Sequence, residues 1–136
     1  MIRSIVRDTF FLSQKSEEAV RADLPLARDM RDTLAANADR CVGMAGNMIG
    51  EGKRVIIVHG EGRTMVMFNP VITEKSGPYE TEEGCLSLAG TRKTTRYEQV
   101  AVEYRDERWN KRRGRFSGFT AQIIQHEIDH LEGILI

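Results

Sequence analysis

The pentapeptide His126-Glu127-Ile128-Asp129-His130 constrains this chain more than any other feature. In a helix, residues four apart lie one turn above each other on one face. Both imidazoles can then meet a single metal ion, with Glu127 beside it as a base. The flanking residues support a helix: Phe119, Ile123, Ile124, Ile128 and Leu131 recur at helical spacing, which predicts a helix from about Ser117 to Leu131. The plain alternative is a chance pair of histidines with a solvated Glu127. It must explain why two of only three histidines hold this spacing with Glu in the required slot.

The rest of the chain reads as one small α+β domain. At 136 residues it matches a single domain, and neither a repeat nor a linker divides it. A helix from about 25 to 38 begins at Asp23-Leu24-Pro25 and buries Leu26, Met30 and Leu34. Val55-Ile56-Ile57-Val58 and Thr64-Met65-Val66-Met67-Phe68 read as a hairpin, and 71–73, 92–95 and 100–104 as further strands. Asp106 to Arg113 reads as a charged turn leading to the final helix. Helix, strands, helix without regular alternation predicts α+β and not a doubly wound sheet.

Lys plus Arg and Asp plus Glu each total 20, a net charge of zero, so no broad basic face advertises nucleic acid or anionic lipid. No apolar run approaches a membrane span, and Met1 to Asp8 lacks the pattern of a signal peptide, so a cytoplasmic location without membrane contact is expected. In such a compartment a thiol is more often buried, metal-bound or catalytic than oxidised. A two-histidine site needs a third ligand, and Cys85 in Glu83-Gly84-Cys85-Leu86-Ser87 is the best candidate. Asp129 and Glu132 fall at the wrong spacing from the histidine face, and His59, at a strand end, stays open. Cys41 reads as a packing residue.

Three blocks together resemble the bacterial peptide deformylases: Gly43-Met44-Ala45 with Ile49-Gly50, then Glu83-Gly84-Cys85-Leu86-Ser87, then Gln125-His126-Glu127-Ile128-Asp129-His130-Leu131. The second and third match the family's E-G-C-L-S and Q-H-E-x-D-H in full. The resemblance implies a deformylase-like fold over 1–136, with small antiparallel or mixed sheets around the C-terminal helix, and one divalent metal on Cys85, His126 and His130, usually Fe(II), with zinc or nickel able to substitute. It implies the N-formylmethionyl end of a newly made protein as substrate, cleaved to formate and a free amine. Glu127 is then the proton carrier, and the Leu86 N–H a donor to the oxyanion. Val42 and Gly43 would pair with the peptide as an added strand, with Met44 and Leu86 flanking the reaction site. The methionine side chain would lie against Ile123 and His126, and Glu83 would pair with Arg96 behind the cysteine loop.

The first block departs from the family pattern. Met48 stands where the family has a glutamine whose amide donates to the oxyanion, and a thioether has no donor. Asn47 is a neighbouring amide that can be asked to replace it. Two other readings remain: a metal- and peptide-binding protein with impaired catalysis, and a zinc metallopeptidase, which the Cys85 context opposes. The chain ends six residues after His130, so the C-terminal segment of many deformylases, and ribosome docking through it, is not expected. Oligomeric state is open.

Overall fold

The computed structural model describes every residue from Met1 to Ile136. Strands β1 (Gly43–Ala45), β2 (Val55–Gly60), β3 (Arg63–Cys85), β4 (Leu88–Arg105) and β5 (Lys111–Ser117) lie side by side in chain order as one antiparallel sheet. Helices α1 (Thr9–Leu12), α2 (Leu26–Ala36) and α3 (Gly118–Leu131) accompany it. The class is α+β with the histidine-bearing helix last. The strands expected as several small sheets join into one, and the isolated parallel bridge Glu17–Lys53 stands outside it.

Consecutive strand residues point to opposite faces, so a run buried at every position must be covered on both sides. Val55, Ile56, Ile57 and Val58 are each fully buried. Helix α3 packs across β1, β2 and β4, and α2 packs on β2 and β1. Gly60 closes β2 where a Cβ would come within 2.5 Å of Thr120 Oγ1, so the missing side chain lets the first turn of α3 sit on the strand end. The hairpin loop is only Glu61-Gly62, both with positive φ (54° and 76°), the geometry that matches strand twist.

Two sequence expectations change. The turn expected over Asp106 to Arg113 ends at Asn110, and Lys111–Ser117 is an edge strand. Its charges suit a strand with one open edge, where they discourage pairing with another chain, and they hid it from a hydrophobic pattern. Residues 71–73 and 92–95 are parts of β3 and β4, which run on as a two-stranded ribbon. Strand β2 pairs with β3 only over Arg63–Phe68, so beyond that point β3 has a free edge. That edge tolerates Pro70 and Pro78, which lack a donor.

The first 22 residues lack a period because specific bonds hold them instead of an amphipathic face. Val6 N–H donates to Met48 O and Ser16 N–H to Leu131 O, both at 2.8 Å. Asn69 clasps Ala19 through both its amide groups, at 2.7 and 2.8 Å. No helix is long and apolar enough to cross a membrane.

Candidate metal centre and active-site cleft

Strand β3 ends at Cys85 and returns through Leu86-Ser87 into β4, which brings the cysteine over α3. His126 and His130, one helical turn apart, face it. His126 Nδ1 lies 2.7 Å from Glu83 Oε1, leaving its Nε2 3.1 Å from His130 Nε2. Cys85 Sγ and one ring nitrogen of each histidine lie within 4.8 Å of one another. One thiolate and two imidazoles whose nitrogens converge on a point are a donor set for a divalent transition metal, and these residues fit one.

Electrostatics support that assignment. Burial would raise the Glu83 pKa, but hydrogen bonds from His126, Arg96 and Gln122 hold it down to about 2, so it is a fixed carboxylate. Arg96, itself buried, grips it through Nε (3.1 and 3.0 Å) and Nη2 (2.7 Å), and extends Nη1 to Asp129 Oδ2 at 2.6 Å. Burial works to lower His126, but Cys85 and Glu83 outweigh it and raise it to about 10. Burial and the charge of His126 push His130 down to about 3, keeping it neutral. His130 therefore presents a neutral imidazole, the form that binds a metal.

Glu127 is buried, and its Oε1 has no hydrogen-bond partner. Burial raises its pKa to about 7. A Cβ on Gly43 would stand 2.6 Å from Ile123 Cγ2 and 3.0 Å from Glu127 Oε2, so β1 can lie against the carboxylate only because that residue is glycine. Cys85, His126, Glu83 and Glu127 line a cleft of about 260 Å³, with Val42, Met48, Leu86, Phe119 and Ile123 as its apolar wall; His130 is buried behind it.

A family model for polypeptide deformylase matches residues 4–136. The chain belongs to the polypeptide deformylase family. It is similar to the peptide deformylase of Clostridium beijerinckii, 55% identical over 136 residues, all of both chains. Among solved structures it is similar to the class I type b peptide deformylase of Acinetobacter baumannii. One ligand-bound form gives a TM-score of 0.90 at 34% identity, covering 99% of this chain and 97% of the other. The form bound to Met-Ala-Ser gives 0.90 at 31%, with 99% and 97% covered.

Of the residues singled out in the sequence of this deformylase-family chain, Cys85, His126, Glu127, Val42, Gly43, Met48, Leu86, Glu83 and Ile123 all line the cleft. Arg96 lies behind them on Glu83. Met44 does not flank the site: it is fully buried in the core, on the face of β1 opposite the one Gly43 turns to Ile123 and Glu127. His59 is exposed at the far end of β2, with Nδ1 2.8 Å from Thr64 Oγ1, and takes no part. Asp129 is bound to Arg96, and Glu132 lies 3.6 Å from Arg54. Cys41 packs against the core yet also lines the cleft, and its thiol donates to Gly43 O at 2.8 Å. Burial raises that thiol to about 11, so it stays protonated.

Asn47 cannot stand in for the missing glutamine. Its amide nitrogen donates to His130 O at 2.9 Å. The Met48 thioether instead accepts the Ala45 N–H at 3.4 Å. Sequence reasoning missed Phe119, Gln122 and the Asp129–Arg96 pair. The signal for Gln122 was its place one turn before His126 on the same helix face.

Proposed function

We propose that this chain hydrolyses the formyl group from the N-formylmethionyl end of newly made proteins, releasing formate and a free amine. The observation that carries this reading is the convergence of Cys85, His126 and the fully buried His130 at the floor of a cleft that Cys85, His126 and Glu127 line, Glu127 being buried with an unpartnered oxygen. Those three residues would hold the divalent ion, with Fe(II) as its form in the cell and zinc or nickel as substitutes. When bound, such an ion acidifies water and polarises a carbonyl.

Glu127 accepts the proton of the attacking water as oxygen bonds to the formyl carbon. It then delivers that proton to the departing nitrogen as the carbon–nitrogen bond breaks. With a pKa near 7 it can both take and give a proton at neutral pH. The Leu86 N–H, which no carbonyl of its turn accepts, faces the oxyanion. Strand β1 is an edge strand paired only with β2, so its open edge is offered to the peptide by Gly43, whose carbonyl holds the Cys41 thiol, while the Val42 carbonyl is turned to β2 and accepts the His59 N–H at 2.8 Å. Ile123 and Phe119 give the methionine side chain an apolar wall.

Met48 favours a second reading, a protein that binds metal and peptide with little turnover, since neither its sulfur nor Asn47 offers a donor to the oxyanion. The test incubates formyl-Met-Ala-Ser with protein loaded anaerobically with Fe(II). Catalytic formate release over many turnovers supports hydrolysis, whereas tight peptide binding with no formate after long incubation supports the second reading.

A further inference from the structure

Glu83 orients His126, and the structure shows what orients Glu83. Its Oε1 meets His126 Nδ1 and Arg96 Nη2, both at 2.7 Å. Its Oε2 meets Arg96 Nε at 3.0 Å and Gln122 Nε2 at 2.9 Å. Arg96 is shared, because its Nη1 is drawn to Asp129 at 2.6 Å. Gln122 approaches from α3, one turn before His126, and binds only the second oxygen. Its own amide is anchored at the other end, where Oε1 accepts the Tyr79 hydroxyl at 3.4 Å.

From this bracing we infer that Gln122 is a positioning residue for the metal centre: with Tyr79 behind it, it fixes the Glu83 carboxylate and through it the His126 ring. Without Gln122 the second oxygen is left to Arg96 Nε alone, so the carboxylate can twist within the arginine's grip and carry the His126 ring with it. The carboxylate directly behind a metal-bound histidine sets ring orientation and ligand basicity, and its loss typically costs about 10- to 100-fold in metal affinity; Gln122 acts one step further out, through that carboxylate, so its share is smaller. Gln122 also lines the cleft beside Phe119, so the brace sits at the surface the substrate would touch.

The inference rests on the metal reading above, and its test separates the two. Wild type, Gln122→Met and Tyr79→Phe are loaded with Co(II). The visible spectrum of the bound ion is recorded, and its release to excess chelator is timed. Gln122→Met, matched in length but without an amide, is expected to release Co(II) faster by up to about 10-fold, the low end of the cost of losing the histidine's direct partner. Its ligand-field bands should shift, while its unfolding midpoint without metal stays close to wild type. Tyr79→Phe, which keeps the glutamine, is expected to accelerate release a few-fold, and it provides the reading if Gln122→Met does not fold. Release rates and spectra equal to wild type in both variants, with Co(II) bound one to one, overturn the inference alone. A wild-type protein that binds no Co(II) overturns the metal reading, and the inference with it.

Discussion

Glu127 and Met48 pull the activity in opposite directions. Glu127→Gln removes the proton carrier without touching a metal-binding atom, so formate release should fall about 10²- to 10⁴-fold. Metal content, measured by elemental analysis, should stay the same; a variant of undiminished rate would remove Glu127 from the mechanism. Met48→Gln tests the other side. A single oxyanion donor is worth about 10²–10³ in turnover, so restoring the amide should raise kcat more than it changes KM. An unchanged kcat would show that the Leu86 N–H suffices. At this scale the sequence exposed the chemistry-bearing residues, because their types and spacing are dictated by ligand geometry. It did not expose Met44's burial or the bond of Asn47 to His130 O, which depend on how β1 and the turn after it are oriented against α3.

Strand β1 and helix α3 meet so closely that a side chain at Gly43 must displace something. Gly43→Ala should lower unfolding free energy by about 1–3 kcal/mol and impair catalysis more than Gly52→Ala, where a Cβ meets nothing. Equal effects of the two substitutions would mean that β1 can move away at little cost. The β4–β5 turn supplies a pH prediction. Asp106 accepts the N–H groups of Arg108 and Asn110, and its Oδ2 lies 2.8 Å from Arg112 Nε. The arginine hydrogen bond, chiefly, lowers its pKa to about 2. A carboxylate depressed in the folded state contributes stability above its unfolded pKa of about 4, and that stability is lost as pH falls towards the folded value. Asp106→Asn keeps the turn bonds, so denaturant titrations should show wild type ahead between pH 7 and 4. The gap should close near pH 2, and a gap independent of pH would contradict the pairing. Helices α2 and α3 and the β2–β3 hairpin were legible because apolar periodicity writes them. Strand β5 and the outer β3–β4 ribbon were not, since both carry polar residues on solvent-facing positions where the pattern has no core to report.

The whole molecule wraps one sheet around a helix whose buried face carries charge as well as hydrophobic side chains. His126, Glu127, Glu83 and Arg96 are all buried in it. Such a centre is stabilised by an ion that binds the folded chain alone. A metal at a hundredfold its Kd should therefore add about 2.7 kcal/mol to unfolding free energy. Chelation should lower the thermal midpoint, and Cys85→Ser should blunt that response; a midpoint indifferent to metal would argue against a folded-state site. The domain's α+β class was legible from the order of its elements. Its single continuous sheet was not, because strand pairing joins segments far apart in sequence. The most direct measurement titrates metal-free protein anaerobically with Fe(II) while following formate release from formyl-Met-Ala-Ser. One catalytic metal on Cys85, His126 and His130 predicts a rate that rises linearly and breaks at one equivalent per chain. A rate that stays at zero through saturation, or that is already full without metal, would contradict it.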